Sequence, residues 1–188
     1  MAAAGGIVVA SDFSEAMLER ARRHDPTVDY RRADATNIDD VLALGTPGSF
    51  DAAVSNMAVM DMSTLAPMAE AVATLVKPGG RFVVSTLHPA FNSGGVVWVI
   101  EQRDDHRGVT REHSMRRSTY LTPITALAVA LEGQPVTHWN FHRPLEQLLE
   151  PFFGSGWMID ALLEPALPSS PFHAELPGVM VIRFRKPG

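Results

Sequence analysis

The chain has 188 residues, 46% of them hydrophobic and 20% charged, with a net charge of −5 and no cysteine. That length suits a single domain with a buried core. The composition excludes a disordered chain, and the missing cysteines exclude a disulfide scaffold, a thiolate metal site and a cysteine nucleophile. The acidic balance with no basic block argues against a nucleic-acid partner. No apolar run reaches membrane-spanning length, and the opening MAAAGG lacks the features of a secretion signal, so a cytoplasmic location is expected.

Residues 7–10, IVVA, form a short β-branched run that reads as a buried strand. It stops at Ser11-Asp12. A helix follows, with Ser14 as N-cap, Glu15 in its first turn, and Arg20, Arg22, Arg23 and His24 suited to its last. Pro26 forbids continuation. An acidic residue between such a strand and helix sits where open parallel α/β sheets bind ligands. Asp12 therefore has two readings: it accepts the ribose hydroxyls of a nucleoside, or it caps the helix.

Val28 and Tyr30 alternate with polar residues, which predicts a strand near a sheet edge, ending in Asp34-Ala35-Thr36. A short helix is expected over 39–44, closed by Gly45, and FDAAVSN (50–56) reads as a third strand. A helix capped by Ser63 is predicted through Val76, with Leu65, Met68, Ala69, Val72, Leu75 and Val76 on one face. Lys77-Pro78-Gly79-Gly80 reads as a sharp stop and turn before a fourth strand at 81–87. This spacing is that of crossovers in a parallel sheet.

From His88 the pattern changes. A second apolar run (96–102), a charged run from Arg103 to Arg117 and an apolar stretch from Leu121 to Leu131, broken at Gly133 and Pro135, predict a cap or lid over residues 89–138 of a single 1–188 domain. Helical periodicity resumes from Arg143 to Phe153. Two further strands, WMIDALLEP and VMVIRFRKP, flank a proline-rich loop and are expected to pair as an antiparallel hairpin.

Taken in order, VVASDFSEAMLERAR, YRRADAT, SFDAAVSNMAV, LVKPGGRFVVSTLHPAF, HRPLEQLLEPFFGSGWMIDALLEP and VMVIRFRKP resemble the successive strands and helices of class I methyltransferases that use S-adenosylmethionine (SAM). The resemblance implies an α/β fold with a Rossmann-like, mostly parallel twisted sheet, a C-terminal antiparallel hairpin and a cap insertion. It also implies transfer of a methyl group from SAM to a small-molecule acceptor. Matched position by position, Asp12 would hold the ribose hydroxyls, Phe13 and Met17 would lie against the adenosine, and Asp34 would accept the adenine amino group with Ala35 at the ring edge. Asn56 and Met57 would stand beside the methionine part. Phe13 and Met17 have a second reading as core residues, Asp34 as a loop cap, and Ser55-Asn56 as turn chemistry.

The family's first strand and glycine-rich loop have no counterpart in MAAAGG, so the resemblance implies an N-terminally truncated version of the fold. That strand is central, between the second and fourth. Its absence leaves two unpaired edges or a rearranged sheet in which those neighbours pair directly. Two further functions stay open: a non-catalytic remnant or scaffold of the same fold, and an NAD(P)-dependent oxidoreductase, since Asp12 also suits the NAD ribose. For an acceptor that must lose a proton, the candidate bases are His88, His142 and Tyr120, each also readable as a structural hydrogen-bonding residue. The four-residue spacing of His138 and His142 hints at metal, but with only Glu146 nearby no metal site is expected. Trp98, Trp139 and Phe141 either line an apolar acceptor pocket, face the sulfonium, or form core under the cap.

Overall fold

The computed structural model describes residues 2, 5–129 and 136–188. Strand β1 (Val9–Asp12) leads through helix α1 (Glu15–His24) to β2 (Asp29–Arg32), and the two strands pair in parallel with Asp12 opposite Arg32. Ser14 caps α1 as its sequence requires, its hydroxyl accepting the Met17 N–H, and Leu18 is the residue α1 buries. Helix α2 (Ile38–Leu42), capped by Asn37, follows. Its Val41 meets Ala71 and Leu75 of α3 (Ala66–Leu75) in a small apolar cluster that docks the first strand pair on the rest of the chain.

The larger sheet has strand order β3-β4-β10-β9, from β3 (Phe50–Asn56), β4 (Val76–Leu87), β10 (Val179–Arg185) and β9 (Met158–Leu163). β3 and β4 are parallel, while β10 runs antiparallel to both β4 and β9, so the expected C-terminal hairpin forms. One face of this sheet carries Phe82, Val84, Met180, Ile182 and Phe184, all buried against α3 and α4 (Leu145–Gly154). Phe152 stacks on Phe184 at 4.5 Å, and Trp157 donates its indole N–H to the Ala69 carbonyl at 3.1 Å, fastening α3 to the turn after α4. Each such side chain stabilises the fold by about 1.5–3 kcal/mol on burial. The opposite face is uncovered: Ala52 and Val54 of β3 are exposed, and an ionic patch of Asp160 with Arg81 and Arg183 lies toward β9.

β1 and β3 do not pair. Among the described residues the chain forms separate sheets, and one edge of β1 and one edge of β3 carry no partner strand. The direct pairing of these strands considered from sequence is therefore not what occurs.

Other expectations also shift. Ser63 does not cap α3; Leu65 stands at that position and is buried, which draws the chain inward before the helix begins. Residues 77–80 are not a free turn but a bulge within β4, where the register to β3 jumps from Phe50↔Val76 to Ala52↔Arg81. Gly79 there has φ +74, and a Cβ on Gly80 would stand 2.4 Å from Val76 Cγ1 and 2.8 Å from the Asp51 carbonyl. Only glycine fits both positions.

The insertion is two antiparallel hairpins. β5 (Val96–Asp105) pairs with β6 (Gly108–Arg117), so the charged run is the exposed far end of a hairpin rather than an irregular loop. β7 (Ile124–Ala128) pairs with β8 (His138–His142). The break expected at Gly133 and Pro135 lies outside the described residues.

Candidate functional site

Parallel pairing brings the carboxyl ends of β1 and β2 side by side, and with them Asp12 and Asp34; the Ala33 N–H donates to the Asp12 carbonyl at 3.1 Å. Both carboxylates are held the same way. Asp12 Oδ1 accepts the Ser14 N–H at 2.8 Å. Asp34 Oδ1 accepts the Thr36 N–H at 2.8 Å and the Thr36 hydroxyl at 2.7 Å. In each residue one oxygen is tethered to the turn and Oδ2 has no partner among the described residues. The cap reading and the ligand reading of Asp12 are thus compatible, since they use different oxygens. The Thr36 side-chain and backbone hydrogen bonds hold the Asp34 carboxyl below the usual carboxylate range, so it is ionised at neutral pH.

Phe13 and Met17 are 69% and 54% exposed, which removes the core reading of both. Arg32 Nε donates to the Phe13 carbonyl at 3.1 Å, fixing the turn that displays the ring. Ala35 packs against the main core, so the turn carrying Asp34 is seated on it.

The carboxyl ends of β3 and β4 make a second cluster. Met57 has φ 50, a left-handed conformation that is rare outside glycine and costs about 1–3 kcal/mol. Ser85 of β4 holds it there. Met57 N–H donates to the Ser85 carbonyl at 3.0 Å and lies 3.1 Å from its hydroxyl, which in turn donates to Asn56 Oδ1 at 2.6 Å. That leaves the Asn56 amide nitrogen free of partners among the described residues. Strain held at a strand end points to a site, and Ser85 is a member of it that the sequence did not single out.

The three candidate bases lie elsewhere and are engaged. His88 is buried, its Nδ1 accepts the Ala90 N–H at 3.1 Å, and its Nε2 therefore donates to Glu164 at 2.8 Å. His142 is 2% exposed, with Nε2 2.8 Å from the Tyr120 carbonyl and Nδ1 2.8 Å from the Ser93 hydroxyl. Burial lowers its pKa, the Arg117 charge adds to this, and the Tyr120 carbonyl opposes it. Tyr120 accepts the Leu145 N–H at the start of α4 through its hydroxyl, at 2.8 Å, and keeps its own proton to donate.

Around His142, Arg117 ties β6 to the segment after β4. Its guanidinium donates to the carbonyls of Thr119, Pro89, Ala90 and Gly94 and to the Ser93 hydroxyl, and one of its nitrogens lies 2.8 Å from His142 Nε2.

His138 and His142 do not act as a pair. They stand at opposite ends of β8, about 13 Å apart at strand rise, with His138 3.3 Å from Asp61. Among the described residues no three His, Asp or Glu side chains are grouped to hold a metal ion. Trp98 packs on Phe172 and His173, each at 4.8 Å, while Trp139 is 55% exposed. Among the described residues no helix is long and apolar enough to cross a membrane.

Residues 1–84 match the family described as a methyltransferase domain. A demethylmenaquinone methyltransferase from Clavibacter sepedonicus is 37% identical over 89 residues, 45% of this chain and 34% of that protein. One from Paenarthrobacter aurescens (strain TC1) is 35% identical over 87 residues, 46% of this chain and 32% of that protein. The chain thus spans about a third of the length of these curated relatives. Among solved structures, a SAM-dependent methyltransferase from Mesorhizobium loti superposes on 95% of this chain and 80% of its own, with TM-score 0.66 and 25% identity. A glycopeptide N-methyltransferase crystallised with SAM shares the fold at TM-score 0.59 and 14% identity, over 99% of this chain and 80% of its own. With its methyltransferase-domain sequence at residues 1–84 and this architecture throughout, the chain has the Rossmann-like class I fold of the SAM-dependent methyltransferases.

Proposed function

We propose that this chain is a SAM-dependent methyltransferase acting on a small-molecule acceptor. The observation that carries the reading is the pair Asp12 and Asp34, on adjacent parallel strand ends, each with one carboxylate oxygen tethered and the other unclaimed. In this reading Asp12 takes the ribose hydroxyls, Asp34 the adenine amino group, and the Ala35 N–H the ring edge. Phe13 and Met17 cover the nucleoside, and Asn56 and Met57 adjoin the methionine part. These residues fit the cofactor: two anionic acceptors suit hydroxyl and amino donors, and exposed apolar side chains suit a purine face.

Bound SAM supplies a methyl group already activated on a sulfonium. The protein's task is then to orient the acceptor and exclude water. His88, His142 and Tyr120 are the proposed groups for a departing acceptor proton. With a net charge of −5 we assign no nucleic-acid role, and we place the protein in the cytoplasm.

The unpartnered edges of β1 and β3 favour one further proposal, that the fold is completed by a strand pairing with both, in the place of the family's first strand and glycine-rich loop. They also motivate the second reading, a non-catalytic scaffold. Titration calorimetry with SAM, its demethylated product and NAD separates these. The proposal expects saturable heat with the first two, at weaker affinity in Asp12→Ala; no heat at millimolar ligand on folded protein supports the scaffold, and preference for NAD supports an oxidoreductase.

A further inference from the structure

The two lid hairpins leave a groove of about 210 Å³ between them that the cofactor residues do not use. Its floor is Leu87, at the carboxyl end of β4. Val96 and Trp98 enter from β5, Ala126 and Ala128 from β7, and Asn140 from β8, where it stands opposite Ala126. Strand alternation puts residues 96 and 98 on one face of β5, and 126 and 128 on one face of β7. One wall therefore carries a large ring, and the other carries two methyl groups that leave room for a ligand.

Three properties define what fits. Among the described residues no charged side chain lines the groove, so a charged ligand would lose hydration there without compensation. Trp98 is held in place by Phe172 and His173, which makes it an ordered aromatic wall. Among the polar lining groups, the Asn92 amide already donates to the Gly178 carbonyl and the Ser93 hydroxyl to the Pro89 carbonyl. The Asn140 carboxamide has no side-chain partner among the described residues. Asn140 also lines a smaller cavity with Val59, Met60, Thr86 and Leu87, at the carboxyl end of β4, the strand whose Ser85 holds Asn56 and Met57.

We infer that this groove is the acceptor site, and that it takes an uncharged planar aromatic ring whose single hydroxyl or carbonyl hydrogen-bonds the Asn140 carboxamide. A carboxamide can donate to a carbonyl and accept from a hydroxyl, so it receives either. The ring packs against Trp98 in the space left by Ala126 and Ala128, and Asn140 turns its polar edge toward the strand ends. The word acceptor rests on the methyltransferase reading; the ring's affinity for the groove does not.

Calorimetry with 2-naphthol on the full chain tests this. The expected result is saturable binding, weakened about tenfold by Asn140→Leu through loss of one hydrogen bond and abolished by Ala128→Leu, which fills the slot. Saturated 2-decalol and anionic 2-naphthoate should each bind at least about tenfold more weakly. Ala126→Val, on the same face of β7, gives the same loss should Ala128→Leu fail to fold. Unchanged affinity in Asn140→Leu, equal binding of 2-decalol, or no binding of 2-naphthol overturns the inference. If 2-naphthol binds as expected and SAM does not, the methyltransferase reading falls and the groove assignment stands.

Discussion

Replacing Arg117 by methionine keeps the length and the apolar stem of the side chain and deletes the guanidinium. Five oxygen acceptors lose their donor, at 2.7 Å (Thr119), 2.9 Å (Pro89), 3.0 Å (Gly94), 3.2 Å (Ser93) and 3.4 Å (Ala90). Only the three shortest have the geometry of strong charge-assisted bonds. The site is partly open to water, so each is worth about 1 kcal/mol rather than the buried maximum. Relief of the charge beside His142 and of the guanidinium's own desolvation, which lowers its pKa, returns part of this. The net loss is about 2–3 kcal/mol, or roughly 30- to 150-fold in a local opening equilibrium. Arg117→Lys keeps the charge but reaches fewer carbonyls and loses about half as much. The assay is hydrogen exchange by mass spectrometry. Amides of β5 to β8 should exchange faster by that factor, while those around Phe82 and Phe184 keep their protection. Equal loss in both regions, or none in the two hairpins, would refute the view that Arg117 fastens the hairpins separately from the core.

Asp12→Ala should weaken SAM binding about 10- to 100-fold, the value of a charge-assisted hydrogen bond, with the melting temperature lowered only by the loss of the Ser14 tether; calorimetry reads the first and a thermal melt the second. Burial depresses the His142 pKa, so the folded state binds fewer protons there than the unfolded state. Its stability contribution is complete above pH 6.5, the unfolded value, and falls away as pH drops through the folded value, at about 1.4 kcal/mol for each unit between the two. His142→Asn should flatten the slope of denaturant stability below pH 6.5, and an unchanged slope would assign that titration to another group. Gly80→Ala drives a methyl into Val76 and the Asp51 carbonyl and should cost about 1–3 kcal/mol in urea unfolding. A neutral result there would mean that the β4 bulge relaxes freely.

Much of the N-terminal strand, turn and helix pattern was legible because its signals are local. A β-branched run followed by Asp12 and a capped helix specifies a strand, a turn and α1 within a dozen residues, and α1 formed as written. Asp34-Ala35-Thr36 likewise carried its own turn chemistry. What the sequence hid depends on contacts between distant residues. Ser85 reads as one alternating position of β4, and only parallel pairing with β3 shows that it holds Asn56 and the strained Met57. Arg117 closes a charged run and has no local mark of its role, since four of its five oxygen acceptors lie more than twenty residues upstream. The β5–β6 hairpin was hidden because β5 continues into charged residues at its exposed tip, which breaks the apolar pattern where the ladder does not break. His138 and His142 have a spacing whose meaning depends on the element that carries it. Their spacing suits one helix face, but on a strand it puts them far apart.

In the proposed function Asp12, Asp34 and the Asn56–Met57 turn form one nucleoside–methionine site. Amide NMR of the full chain titrated with demethylated SAM tests it most directly. The signals of Phe13, Ala35 and Met57 are expected to shift together and saturate at one ligand concentration. Shifts confined to one of these turns, or none with millimolar ligand, would contradict it.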